Sequence, residues 1–283
     1  MVEIFDSVDT AKQKANPKAA LEQAVTTSLG RIGQKFIVMS GKGGVGKTST
    51  AVNLALALAS SGAKVGLIDV DLHGPDVPRM LGLTGLMDIN QENLIVPMPY
   101  NDHLSMVSVE SLIANKDDAI IWRGPVKHSV IQQFIGQVAW GDLDYLIIDA
   151  PPGTGDEPLT VAQSIKDAQA IIVTTPQEVS LSDVRKSINF CRTVKMKVYG
   201  MIENMGGFNC PHCQCAIELF GSGGGERTAA AMGIEFLGRI PFDPQMVICG
   251  DEGISFQEQN SQSPITLVFR QIAEKIAAQT ART

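Results

Sequence analysis

Short apolar runs alternate with longer segments of mixed polarity along most of the chain. Several strand-length runs, such as 36–39, 146–148 and 171–173, are continuously apolar instead of alternating with polar residues. Continuous apolar runs are typical of parallel strands that helices cover on both faces. The pattern therefore predicts an α/β fold with a doubly wound, mostly parallel sheet. The predicted strands lie at 35–40, 64–69, 104–109, 145–149, 168–174, 198–203 and 234–240.

Segments of helical length lie between these strands. Residues 17–29 suit a short helix, and residues 1–34 are interpreted as an N-terminal leader to one domain that covers 35–283. Residues 73–103 are rich in Pro, Gly and Asn and are expected to be mostly loop. The last helix is apolar on one side and has few cations on the other, which favours core packing over membrane binding. The predicted helices lie at 48–61, 125–138, 180–193 and 264–279.

Composition and charge narrow the class of protein. The chain has 283 residues, a net charge of -7, 44% hydrophobic residues and 19% charged residues. This composition is globular and excludes disorder as the main state. The acidic balance argues against a bulk nucleic-acid binder, and no apolar run reaches the roughly 18 residues of a membrane span. Because the first residues show no basic and apolar signal segment, we expect a cytoplasmic protein.

Residues 41–48 read Gly-Lys-Gly-Gly-Val-Gly-Lys-Thr and match the phosphate-loop pattern G-x-x-x-x-G-K-[ST]. Glycines allow successive backbone N–H groups to face one anion, and the following helix N-terminus adds a partial positive charge. Lys47 is expected to reach the β- and γ-phosphates, and the Thr48 hydroxyl to bind Mg²⁺. The alternative is a glycine-rich turn that binds nothing. The predicted nucleotide-binding residues of this segment are Gly43, Gly44, Val45, Gly46, Lys47, Thr48 and Ser49.

Three carboxylates stand at the ends of predicted strands. Asp69 and Asp71 close one strand, and Asp149 closes another after four apolar or aromatic residues. Ligands of open α/β sheets bind beyond the carboxyl ends of the strands, so all three carboxylates are expected to face one phosphate site. Mg²⁺ prefers such oxygen ligands. The alternative is that these residues form turns or cap helices.

The sequence also indicates which base is bound. GTPases with a phosphate loop carry an N-K-x-D sequence whose Asp pairs with guanine, and Gly207 stands where that Asp would be. Asn204 is able to donate to adenine and to accept from it. Residues 241–243 follow another strand and are a second candidate for the wall of the base pocket. ATP is therefore favoured over GTP.

A cysteine-rich loop at about 206–216 contains the sequence Cys210-Pro-His-Cys213, with Cys215 as a further thiol to which no role is assigned. Two thiolates at this spacing can share a metal, whereas a closed site needs four ligands. A two-fold axis supplies them if two subunits each contribute Cys210 and Cys213. From the residues alone, zinc and a [4Fe–4S] cluster fit equally well. The same residues would also suit a redox-active cysteine pair or a loop without chemical function.

Taken together, the motifs resemble those of a known family. The phosphate loop, with its early second lysine Lys42, resembles the deviant Walker A motif of the MinD/ParA/nitrogenase-iron-protein group. Over about 35–255, the chain resembles the Mrp/ApbC family of P-loop ATPases, which are iron–sulfur cluster carriers or scaffolds related to the Nbp/Cfd ATPases. The matching segments are 41–48, 69–71, 74–75, 122–125, 149–155, 174–177, 203–205 and 210–213, together with Pro78.

The resemblance implies a homodimer that encloses ATP. It implies that Lys42 contacts phosphate across the dimer interface, where the alternative is an exposed surface lysine. It further implies that Asp71 orients the attacking water and that Asp69 binds Mg²⁺ through water. Cys210 and Cys213 of both subunits would hold a [4Fe–4S] cluster that is passed to apo iron–sulfur proteins, with neither nucleic acid nor membrane as a partner.

Two different functions remain open at this point. One is a MinD/ParA-like positioning ATPase that acts on membrane or DNA. The other is an electron-donating ATPase like the nitrogenase iron protein, which is expected to carry two separated cysteines instead of one C-x-x-C. The chain also departs from parts of its family, since no cysteine precedes the phosphate loop and the leader is short for a separate N-terminal domain.

Overall fold

The computed structural model describes residues 17–71, 74–112, 124–210, 212–213 and 215–280. Within these residues, strands and helices alternate along the chain. The strands are β1 (Ile32–Ser40), β2 (Val65–Asp69), β3 (Met98–Pro99), β4 (Leu104–Ser108), β5 (Leu143–Asp149), β6 (Gln169–Thr174), β7 (Val198–Asn204), β8 (Phe208–Asn209), β9 (Ala216–Ile217) and β10 (Phe236–Ile240).

The helices fill the connections between the strands, and a 3-10 turn, Val109–Leu112, follows β4. The helices are α1 (Pro17–Leu29), α2 (Lys47–Ser60), α3 (Val77–Met80), α4 (Gly124–Gly136), α5 (Asp156–Ser164), α6 (Glu178–Thr193), α7 (Gly224–Met232), α8 (Pro244–Glu252), α9 (Phe256–Gln259) and α10 (Pro264–Thr280). In the described part of the chain, no helix combines the length and the apolar character that a membrane span requires.

Eight strands form the main sheet in the order β10-β7-β6-β1-β5-β2-β4-β3. Neighbouring strands pair in parallel, apart from the antiparallel pair β3 and β4. Successive residues of β1 enter two different apolar clusters, with Phe36 and Val38 on one face and Ile37 and Met39 on the other. The sheet is therefore buried on both faces, and the predicted doubly wound, mostly parallel α/β fold is confirmed.

The structure differs from the sequence pattern in detail. Strand β1 begins at Ile32, three residues before the predicted start at 35. Helix α1 packs against α4, and its Val25 and Leu29 are buried beside one sheet face. Residues 1–16 of the predicted leader lie outside the described residues. The segment 73–103 was expected to be mostly loop with short elements, and helix α3 and strand β3 are such short elements.

Candidate nucleotide and metal-binding site

The phosphate-loop segment connects the carboxyl end of β1, at the centre of the sheet, to the first turn of α2. Gly44 and Gly46 have φ angles of 78° and 80°, in the left-handed region that favours glycine. A Cβ added at Gly46 would collide with the Asn204 side chain, whereas one at Gly43 or Gly44 would meet no atom within 4 Å. The loop therefore presents bare backbone to open space in front of a helix N-terminus, a geometry suited to phosphate.

A buried ion pair joins this loop to strand β5. Lys47 Nζ lies 2.7 Å from Asp149 Oδ1, and the side chains of Lys47 and Asp149 are 7% and 1% exposed. The Thr48 hydroxyl donates to Asp149 Oδ2 at 2.8 Å. Since water does not screen a pair at this depth, each charge depends on its partner. The lysine and threonine predicted from the phosphate loop are thus brought together with the carboxylate predicted from the strand end.

Asp69 lies beside Asp149, because β2 and β5 pair in register at these two residues. Its carboxylate accepts from the Asp71 N–H at 3.1 Å and from the Val77 N–H at 3.3 Å. Burial, reinforced by the charge of Asp149, raises the pKa of Asp69 well above its ordinary value. Burial also raises the pKa of Asp149, although Lys47 opposes this effect. Two desolvated carboxylates beside the Thr48 hydroxyl form an oxygen donor set that fits Mg²⁺.

The other two predicted catalytic residues lie at the rim of this group. Asp71 follows β2 and is buried, with 9% of its surface exposed. Lys42 is half-buried in the phosphate loop, and its carbonyl accepts from the Ser40 hydroxyl at 2.9 Å. Asp71 follows Asp69 by two residues, and its N–H donates to the Asp69 carboxylate, so both residues lie at the same edge of the sheet.

A cavity of about 490 Å³ opens next to the phosphate loop. Its volume is in the range of small-molecule sites. Gly46 and Ser49 line one side, and the predicted base-binding residue Asn204 lines it from the end of β7. The Asn204 amide donates to the Val45 carbonyl at 2.9 Å, which ties β7 to the phosphate loop. The remaining lining residues are Gly44, Asp76, Arg79, Met80, Met205, Pro241, Phe242, Asp243, Met246, Val247, Gly250 and Asp251.

The lining of this cavity was predicted from the sequence only in part. The segment 241–243 lines it as predicted, while Arg79 of α3 and Met246 of α8 were not considered. Helix α3 has four residues and α8 has nine, too short for a clear apolar period. No signal in the pattern placed these two helices at the site.

The predicted cysteine loop connects two short strands and so forms the tip of a small hairpin. Strands β8 and β9 pair antiparallel, and the Cys210 N–H donates to the Cys215 carbonyl at 3.0 Å. Cys210 is half-buried, whereas Cys213 and Cys215 are exposed. Hydrogen bonds from the Cys215 backbone N–H and from the thiols of Cys215 and Cys210 lower the pKa of Cys213. Cys210 and Cys215 thus both hydrogen-bond to Cys213 at the hairpin tip. Cys215, which had no predicted role, therefore stabilises the thiolate form of Cys213.

Glu203 anchors the start of α7, the helix that follows this hairpin in the chain. Its side chain is fully buried and accepts from the Gly225 N–H at 2.6 Å, the Gly223 N–H at 3.0 Å and Arg239 Nε at 2.6 Å. Glu203 immediately precedes Asn204 in β7, so adjacent residues hold the start of α7 and the phosphate loop. Within the described residues, the side chains of His, Cys, Asp and Glu form no group of three or more that is placed to hold a metal ion. Residues 122 and 123 of the 122–125 motif lie outside the described residues.

A family model described as ParA, "NUBPL iron-transfer P-loop NTPase", matches residues 31–277. A Trichoplax adhaerens protein named "Cytosolic Fe-S cluster assembly factor NUBP2 homolog" is 44% identical over 257 residues, which are 89% of this chain and 97% of that protein. A Methanocaldococcus jannaschii protein named "Iron-sulfur cluster carrier protein" is 43% identical over 271 residues, which are 95% of this chain and 92% of that protein.

Solved structures show the same architecture. The Archaeoglobus fulgidus nucleotide-binding protein, described in complex with ADP, superimposes with a TM-score of 0.72 at 38% identity and covers 82% of this chain and 91% of its own. The cell division ATPase MinD of Pyrococcus furiosus superimposes with a TM-score of 0.65 at 24% identity, over 87% of this chain and 99% of its own. The MinD likeness concerns the fold alone.

Proposed function

The chain belongs to the ParA family of NUBPL-type iron-transfer P-loop NTPases, and from this premise we propose that it is an ATP-hydrolysing carrier of iron–sulfur clusters. One observation carries the proposal. Strand β7 ends at Asn204, which contacts the phosphate loop, and the cysteine hairpin begins four residues later at Phe208. A nucleotide site and a thiol pair are thus built on the same strand end. Two relatives that align with this chain over most of their length are named as an Fe-S cluster assembly factor homolog and as an iron-sulfur cluster carrier protein, and these names support the same function.

The nucleotide chemistry follows from the buried ion pair. Lys47 exchanges part of its contact with Asp149 for the β- and γ-phosphates of ATP. Thr48 and Asp149 would hold Mg²⁺, with Asp69 supporting it through water, and the cation would supply positive charge to the phosphate oxygens. The backbone of Gly43, Gly44, Val45 and Gly46, with Ser49, surrounds the phosphates, and Asn204 faces adenine.

Hydrolysis is assigned to Asp71. Its carboxylate orients the attacking water and accepts a proton from it while the water oxygen bonds to the γ-phosphorus. The bond from that phosphorus to the β–γ bridging oxygen breaks, which leaves ADP and phosphate. Lys42 contacts the phosphates of the partner subunit's nucleotide and thereby links turnover to the dimer. Turnover is slow because the sequence shows no arginine finger in the same chain.

The iron–sulfur cluster is the group that the protein carries. Cys210 and Cys213 offer two thiolates per chain, and four thiolates complete a [4Fe–4S] site when two copies meet. The exposure of Cys213 leaves the cluster within reach of an incoming apo iron–sulfur protein. The proposed partners are a second copy of the chain and such client proteins in the cytoplasm, with no role for nucleic acid or membrane.

Anaerobic reconstitution with iron and sulfide tests the proposal. The wild-type chain is expected to gain the visible absorbance of an iron–sulfur cluster, and a Cys210→Ala/Cys213→Ala double variant to lose it. Cys249→Ala, which removes a buried thiol outside the hairpin, is the matched control and should retain the absorbance. A wild-type chain that holds no iron, or whose ATP hydrolysis is stimulated by anionic lipid or DNA, would contradict the carrier function.

A further inference from the structure

The segment 241–243 forms one wall of the cavity beside the phosphate loop. It follows the last strand of the sheet, β10, and leads into α8, which Asp243 caps by accepting from the Gln245 N–H at 2.8 Å. Phe242 is half-buried and lines the cavity together with Asn204 and Gly46. A nucleotide bound in this cavity therefore restricts the Phe242 side chain.

The opposite side of this wall is bonded to the cysteine hairpin. The Phe242 N–H donates to the Gly207 carbonyl at 2.7 Å, and the Gly206 N–H donates to the Ile240 carbonyl at 2.9 Å. The rings of Phe208 and Phe242 meet edge to face, with centroids 5.9 Å apart and planes at 67°. Phe208 is the first residue of the hairpin, so the wall of the cavity and the base of the hairpin share one ring contact and two backbone bonds.

The backbone between β7 and the hairpin is bent to make this contact. Gly207 has φ 105°, and Met205, which is not a glycine, has φ 58°. A Cβ at Gly207 would meet no atom within 4 Å, so conformation rather than space requires glycine there. The turn directs Phe208 back over Phe242. Beyond the hairpin, Glu203 holds Gly223 and Gly225 at the start of α7, and these residues do not line the cavity.

We infer that Phe208 is a positioning residue that transmits occupancy of the nucleotide cavity, through Phe242, to the hairpin carrying Cys210 and Cys213. The inference rests on the proposed function and adds the route by which nucleotide and cargo are coupled. When a nucleotide restricts Phe242, the ring contact restricts Phe208 and slows the opening of the hairpin. Thermodynamic linkage requires the reverse effect as well: a ligand on the hairpin changes nucleotide affinity by the same factor.

Hydrogen exchange of the iron-free, full-length protein tests this route with Mg-ADP as the probe. The peptide covering 208–217 contains the Cys210 N–H, whose bond to the Cys215 carbonyl reports hairpin opening. In the wild type, Mg-ADP should slow exchange of this peptide by about fivefold, at the lower end of ordinary site-to-site coupling. Phe208→Leu keeps an apolar side chain but removes the ring, and should bring the ratio with and without Mg-ADP to about one.

Ile217→Ala is the matched control. Ile217 pairs with Phe208 across the hairpin and is exposed, so its truncation weakens the same hairpin while both rings of the Phe208–Phe242 contact remain present. This variant should exchange faster overall and retain the wild-type response to Mg-ADP. The inference is overturned if Phe208→Leu also retains that response, or if the wild type shows none. Because no iron is present, a failure of the protein to hold a cluster is a separate result that bears on the proposed function only.

Discussion

At the scale of single residues, the two lysines of the phosphate loop have different surroundings. Lys47 is buried and paired with Asp149, whereas Lys42 is half-buried at the loop surface. Lys47→Ala removes a charged contact with phosphate worth about 1.5–3 kcal/mol. We expect the Kd for Mg-ATP, measured by calorimetry, to rise roughly 10- to 150-fold.

Lys42→Ala is the control within the same loop. Because Lys42 is proposed to contact the partner subunit's nucleotide, its loss should leave the Kd of an isolated subunit within about twofold of wild type. The hydrolysis rate of the dimer should still fall. Equal losses of ATP affinity in the two variants would show that their roles are not distinct.

Asp71 provides a second test at this scale. Asp71→Asn keeps the size of the side chain but removes the carboxylate that accepts the proton of water. Loss of a general base typically lowers a rate by about 10²–10⁴-fold, so kcat should fall while ATP binding stays within a few-fold of wild type. Asp102→Asn, at an exposed carboxylate that does not line the cavity, should retain wild-type kcat. An Asp71 variant that hydrolyses ATP normally would exclude this role.

At the scale of elements, Glu203 at the end of β7 holds the start of α7, the helix that follows the cysteine hairpin. Glu203→Gln removes the charge that holds Arg239 and two glycine N–H groups. Leaving these donors poorly satisfied should cost about 1–3 kcal/mol in the free energy of unfolding, measured with urea. Glu226→Gln, at the exposed partner of Arg239, should cost less than about 1 kcal/mol. Equal costs would show that burial of Glu203 is unimportant.

The strands, the phosphate loop and its carboxylates could be predicted because each has a local pattern. Continuous apolar runs mark buried strands, and the glycines of the phosphate loop mark a fixed backbone shape. The Glu203 anchor and the Phe208–Phe242 contact could not be predicted in this way. Both join residues at least 20 positions apart, and nothing in the sequence around either partner indicates the other.

At the scale of the whole molecule, stability should depend on alkaline pH through a buried thiol. Burial between α6 and the sheet raises the pKa of Cys191 from an ordinary 9.0 to about 12. Above pH 9 the unfolded chain releases this proton while the folded chain keeps it, so the free energy of unfolding decreases as the pH rises. This loss of folding stability is absent below pH 9 and grows up to about pH 12, with a slope approaching 1.4 kcal/mol per pH unit.

Cys191→Ala should reduce this slope, although its lower packing density also lowers stability at neutral pH. A part of the slope should remain above pH 10, because burial also raises the pKa of Tyr100 and of Tyr199 to about 12. Urea unfolding of the iron-free protein between pH 8 and 11 measures the slope directly. Ser187→Ala, at a buried neighbour on the same helix that does not titrate in this range, should keep the wild-type slope. An unchanged slope in Cys191→Ala would mean that the thiol titrates normally in the folded protein.

The central claim concerns the assembly of two chains around one cargo. Anaerobic native mass spectrometry of the reconstituted protein tests it most directly, because one spectrum gives both the number of chains and the mass of the bound cluster. We expect a dimer that carries one [4Fe–4S] cluster in the wild type and no cluster in Cys210→Ala/Cys213→Ala. A cluster or zinc ion bound to a monomer, or a cluster retained by the double variant, would contradict the account.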